Sequence, residues 1–177
     1  MVDKTLVLRK FAELDEYLKQ ISEYEMLGAD EYSENWKAQR IIDRTLHMMI
    51  EVCLDIAGHI ISDKAFRVPA NCADIFRVLQ EQKILDADLS DTMQQMARFR
   101  NLVVHHYDKT DPAIVINILR NSLKDFKEFE KTVISLFAGN LALCARRQKE
   151  TDHWRGSWPF GLWPKSKPGS LSPVVYF

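Results

Sequence analysis

Apolar residues over the first 140 positions recur at steps of three and four, the period of a helix face. Nowhere do they alternate with period two, and no two apolar runs are joined by a hairpin turn. Over residues 4–29, Phe11, Leu14, Leu18 and Ile21 form one stripe with charges between them, which predicts an amphipathic helix stopped near Gly28. A second helical pattern starts near Ser33, where Ser33, Glu34 and Asn35 offer capping side chains ahead of Trp36. It runs through Ile41, Ile42, Leu46, Met49, Ile50, Leu54 and Ile56 to about Ile61. Being long and apolar on more than one side, it has the character of the central helix of a bundle.

Residues 62–71 read as a loop, with Pro69 fixing its far side. A short helix is expected over 72–82, with Ile75, Phe76, Val78 and Leu79 facing inward, and residues 83–88 link it onward. The fourth helix begins near Leu89 with Ser90 or Asp91 as cap, and carries Met93, Met96 and Phe99. Methionines at that spacing read as core filler. Asp111 followed by Pro112 marks a new helix start, because Asp caps and Pro suits the first helical position. The fifth helix carries Val115, Ile118, Leu119, Leu123, Phe126, Val133, Leu136 and Phe137 to about Ala138. The predicted fold is all-α: an up-and-down bundle of four long helices and one short one.

After Gly139 and Asn140 the pattern stops. Residues 141–177 hold three of the four tryptophans and four of the six prolines, with six Lys/Arg against two Asp/Glu. The chain therefore divides into a helical domain, 1–140, and an irregular basic tail, 141–177. Tryptophans among basic residues can stack on bases. The plainer reading is irregular packing or disorder, with no catalytic role. The helical part is acidic, since the whole chain carries a net charge of −1. Any basic site within it must be local, which argues against broad, unspecific RNA binding.

Cys53, Cys72 and Cys144 are too few and too scattered for a disulfide framework or a zinc site, which suits a reducing cytoplasm. The N-terminus lacks a signal pattern, and the longest nearly apolar run, 133–145, is too short to span a bilayer. Glu51, Asp55 and His59 fall four apart on one helix face. Such a stack can bind a metal, but without a partner motif it reads better as a polar seam, so no metal is assigned.

The chemistry concentrates at residues 100–107, Arg-Asn-Leu-Val-Val-His-His-Tyr. Arginine holds phosphate through a planar fork and keeps its charge. Histidine titrates near neutrality and moves protons. Together they are the parts needed to cut a phosphodiester without a metal. The alternative is a helix end with a surface arginine and a histidine that answers the helix dipole. At about 100° per residue, Arg100 and Tyr107 share a helix face while His105 lies about 140° from Arg100. One helix cannot aim all three at one phosphate. Either the helix breaks near Val104, or two copies of the motif meet across a dimer. His106 points elsewhere and reads as structural.

Arg100, four residues, His105, one residue, Tyr107 resembles the Arg-x4-His-x-Tyr signature of HepT-like proteins, a branch of the HEPN ribonuclease superfamily. The surroundings are similar too: Phe99 and Asn101, Asp108 and Asp111, Arg44, Ile50-Glu51, residues 54–57 (Leu-Asp-Ile-Ala) and Pro69. The similarity covers roughly residues 4–138; Arg98, where relatives usually carry a small residue, and the tail depart from it. The resemblance implies a metal-independent, cofactor-free endoribonuclease toxin, a cytoplasmic homodimer whose motifs face one cleft. It implies a nucleotidyltransferase antitoxin of the MNT type that adds AMP to the motif tyrosine, here Tyr107. Arg100 and His105 would then be catalytic, with Asn101 orienting either one. Two other readings stand beside it: a non-catalytic helical partner or substrate-presenting subunit of a nucleotidyltransferase, and a plain helical dimerisation domain. A half-buried packing phenol is the corresponding alternative for Tyr107.

Overall fold

A computed structural model of the chain describes residues 4–105 and 111–137. Within them there are helices and no strand. Helix α1, Lys4–Ser22, buries Val7, Phe11, Leu14 and Ile21, and Leu18 is half-buried beside them. It ends with the stripe, at Ser22, short of the expected stop near Gly28. The Ser22 hydroxyl donates to the Lys19 carbonyl at 2.7 Å, and turn bonds from Tyr24 to Ile21 and from Leu27 to Tyr24 lead the chain away. A separate short helix, α2 (Ala29–Glu34), follows an extended Gly28. Its Tyr32 is fully buried and donates its hydroxyl to Asp43 at 2.6 Å, pinning α2 to the next helix. Burial pushes the Asp43 carboxyl above its ordinary range, and the Tyr32 phenol is raised for the same cause.

Asn35 separates α2 from α3, Trp36–Asp63, by accepting a hydrogen bond from the Ala38 amide at 3.2 Å. The α3 helix buries residues on nearly every side, among them Ile42, Leu46, Met49, Ile50, Cys53 and Ile60, so it is the bundle's axis. By length and composition alone it could cross a membrane, but most of that apolar stretch is buried inside the bundle. Helix α4, Cys72–Glu81, starts on Asn71, whose side chain accepts from the Asp74 amide at 3.0 Å. Helix α5, Ala87–His105, starts on Asp86, not on Ser90 or Asp91: the Asp86 carboxylate accepts from the Leu89 amide at 2.8 Å. Ser90 is instead buried, its hydroxyl donating to the Phe76 carbonyl and tying α5 to α4.

Helix α6, Pro112–Asn117, begins as expected, with the Asp111 side chain accepting from the Ala113 amide. It passes through a π turn, Ile118–Ser122, and residues 123–137 continue as α-helix. Phe129 from this last segment meets Phe11 of α1 and Phe76 of α4 edge-on, with ring centroids 6.4 and 5.9 Å apart. Four long helical stretches and short α4 make the predicted bundle, and α2 is the addition. Ala65 and Lys83 sit at φ 50° and 58° just past α3 and α4. Amide bonds from Phe66 to Ile61 and from Ile84 to Leu79 close a Schellman end around each of them.

Candidate active site

Two helices bring the motif's charged end together. On α3, Arg44, His47 and Glu51 follow steps of three and four and so share a face. On α5, Arg100 turns back towards that face, and its Nη2 pairs with Glu51 Oε1. Its Nη1 donates to the Asn101 side-chain oxygen at 2.9 Å. The Arg100 Nε is buried and has no hydrogen-bond partner among the described residues. The guanidinium is thus held by a carboxylate on one side and an amide on another. Its fixed charge can face an anion.

His47 belongs to the same cluster. Its Nε2 lies 3.9 Å from Glu51 Oε1. Burial lowers its pKa first, the Glu51 carboxylate raises it, and Arg100 and Arg44 lower it further; the net is downward. At neutral pH it is therefore held in its uncharged form, able to accept a hydrogen bond without adding charge beside Arg100. Sequence reasoning passed over His47. The available signal was its position four residues before Glu51, on the face that Arg44 and Glu51 already marked.

The polar seam expected of Glu51, Asp55 and His59 is not what their contacts show. Glu51 goes to Arg100, Asp55 accepts from Lys10 of α1 at 3.1 Å, and His59 is exposed. No metal-competent group of three or more His, Cys, Asp or Glu occurs among the described residues. His105 is the last described residue of α5, so the helix is unbroken from Arg100 to it and the backbone positions lie about 140° apart. The alternative of a break near Val104 is therefore not what the described backbone does. His106 and Tyr107, like the tail 141–177, lie outside the described residues.

Beside the cluster, α4 and α5 border a polar cleft of about 310 Å³ lined by Asn71, Asp74, Arg77, Gln94, Arg98 and Asn101. Asn101 is common to both places: it lines the cleft and receives the Arg100 hydrogen bond.

The family model for ribonuclease HepT-like proteins matches residues 14–133. The chain is 27% identical over 124 residues to the mRNA nuclease HepT of Shewanella oneidensis, covering 70% of this chain and 92% of the relative. It is 22% identical over 134 residues to the tRNA nuclease HepT of Aphanizomenon flos-aquae, covering 76% and 91%. Among solved structures, the tri-AMPylated Shewanella oneidensis HEPN toxin in complex with MNT antitoxin superposes with a TM-score of 0.68 at 25% identity, over 76% of this chain and 99% of that one. The matched span takes in the bundle, the Arg100 cluster and the end of α5, so this chain belongs to the HepT-like ribonuclease family.

Proposed function

We propose that this protein is a metal-independent endoribonuclease toxin that cuts RNA by 2′-OH transesterification. The observation that carries the reading is Arg100, a guanidinium fixed by Glu51 and Asn101 on the helix that reaches His105 five residues on. His105 withdraws the proton from a ribose 2′-OH or delivers one to the departing 5′-oxygen. The 2′-oxygen bonds to phosphorus, the bond from phosphorus to the 5′-oxygen breaks, and a 2′,3′-cyclic phosphate and a 5′-hydroxyl result. Arg100 stabilises the charge that builds on the phosphoryl oxygens, where a preorganised cation is most effective. Asn101 orients Arg100.

Because the backbone positions of Arg100 and His105 lie about 140° apart on one continuous helix, a single phosphate is reached by Arg100 and His105 of different subunits. The working form is then a homodimer, and we place it in the cytoplasm. An MNT-type nucleotidyltransferase is the partner. It transfers AMP from ATP to the Tyr107 hydroxyl with release of pyrophosphate, and so switches the nuclease off. The AMPylated toxin complex of the Shewanella relative supports this assignment. Residues 1–140 form the nuclease domain, and the tail 141–177 takes no part in the chemistry.

The test is cleavage of RNA by the purified chain in the presence of EDTA. His105→Ala should lose at least 10²-fold in rate, the usual contribution of a positioned acid–base group. Lysine in place of Arg100 should also fail, since a point charge cannot reproduce a planar fork. If the folded wild type cuts no RNA while a nucleotidyltransferase co-purifies with it, the protein is a non-catalytic subunit of that enzyme.

A further inference from the structure

The cleft between α4 and α5 is not used by the chemistry above, yet it opens beside it. Gln94, Arg98 and Asn101 follow steps of four and three along α5, and Asp74 and Arg77 are three apart on α4, so each helix turns one face into the cleft. The charges there are unequal. Arg67 grips both Asp74 oxygens, at 2.6 and 2.9 Å, and both Glu81 oxygens, at 2.7 and 2.9 Å. The Ala70 amide adds a third bond to Asp74. These contacts hold the Asp74 carboxyl far below the usual carboxylate range, but its charge is matched by Arg67. Arg77 has only a 3.8 Å contact to Glu81, and Arg98 is exposed with no ion-pair partner among the described residues. Two guanidiniums are left to face a ligand within an otherwise acidic body.

The amides are complementary to this. Asn71 and Asn101 each spend their oxygen, on the Asp74 amide and on Arg100, which leaves their NH2 groups as donors. Gln94 spends its NH2 on Ser90 and Asp91, which leaves its oxygen as an acceptor. The cleft's only apolar side chain is Ala73, so it offers no anchor for a hydrophobic peptide. Amide donors and acceptors read base edges, and arginines take phosphates or stack on bases, which is how single-stranded RNA is recognised.

From this we infer that the α4–α5 cleft is a nucleotide subsite that holds the RNA residue next beyond the two joined at the cut, with Arg77 and Arg98 on its phosphates and Asn71 and Gln94 on its base. The inference rests on the nuclease reading. Asn101 couples the two places, touching Arg100 on one side and the cleft on the other.

The experiment compares full-length wild type with R77Q/R98Q on a single-stranded RNA octamer and on the dinucleotide that spans its cut site. Cleavage of the octamer should fall at least 10-fold in kcat/KM while the dinucleotide is cut within twofold of wild type. In a His105→Ala background, the slope of log affinity for the octamer against log salt should shrink by about 1.4, from roughly 0.7 for each of two phosphates released. Should the double variant melt early, R98Q alone, at an exposed position, is read against half that slope change. Octamer cleavage and salt slope both unchanged would overturn the subsite and leave the nuclease standing. Loss of slope in a protein that cuts no RNA would keep the cleft as an RNA-binding site and overturn its place beside a cut, together with the nuclease. Binding of AMP alone as tightly as the octamer would assign the cleft to a free nucleotide and overturn the inference.

Discussion

Glu51 is the residue on which the position of Arg100 depends, and its removal has a calculable cost. The two side chains are 28% and 25% exposed, between the surface and the interior. Exposed pairs contribute about 0.2–1 kcal/mol, and stripping one partner from a fully buried pair costs about 3–5 kcal/mol. A pair a quarter exposed should lie between, and Gln in place of Glu51 keeps an acceptor for Arg100 while removing the charge. We expect E51Q to cost about 1–2 kcal/mol and to lower Tm by roughly 3–8 °C for a body of this size. R100Q should cost at least as much, because it leaves the Glu51 carboxylate without its cation. In the double variant neither charge is stranded, so a double-mutant cycle by urea denaturation should return a coupling of about 1 kcal/mol or more.

His47 provides a second, independent readout of the same cluster. Glu51 raises its pKa and Arg100 lowers it. In NMR titration the imidazole pKa should therefore move further down in E51Q and up in R100Q. The sign for stability follows. A histidine depressed in the folded state contributes stability that is present above its ordinary pKa near 6.5 and is lost as pH falls through the folded value. E51Q should deepen that acid loss, and R100Q should reduce it. A coupling below 0.3 kcal/mol, with His47 unmoved in both variants, would refute the claim that Glu51 holds Arg100.

Two further outcomes concern the scaffold. Phe129→Ala removes a fully buried ring that packs edge-on against both Phe11 and Phe76, and should cost about 3–5 kcal/mol in urea unfolding. Ala65→Gly and Lys83→Gly relieve side chains held in the left-handed region, and each should raise stability by about 0.5–1 kcal/mol, read as a higher urea midpoint at constant m-value.

Much of the bundle was legible because helices declare themselves locally. The stripe Phe11, Leu14, Ile21, the all-round apolar character of α3, and the Asp111–Pro112 start each rest on short-range chemistry, and each is found in the structure. The family was legible for a related reason: Arg100, Asn101, His105 and Tyr107 sit within eight consecutive residues. What the sequence concealed depended on contacts between distant positions. The α2 helix is six residues long and too brief for a periodic stripe; it exists because Tyr32 finds Asp43 across the turn. The cap expected at Ser90 or Asp91 falls on Asp86, and the Ser90 hydroxyl is taken up by the α4 contact at the Phe76 carbonyl.

The same division runs through the site. By itself the sequence determined the residue types, a fixed cation and an imidazole five apart, and thus the chemistry they can perform. Only the tertiary structure decided that Glu51 serves Arg100 and not a seam with Asp55 and His59, that His47 stands beside them, and that Asn101 bridges to a polar cleft between α4 and α5. The reason is physical: a side chain's type is written at its own position, whereas its partner is chosen by helix packing, which brings together residues fifty positions apart.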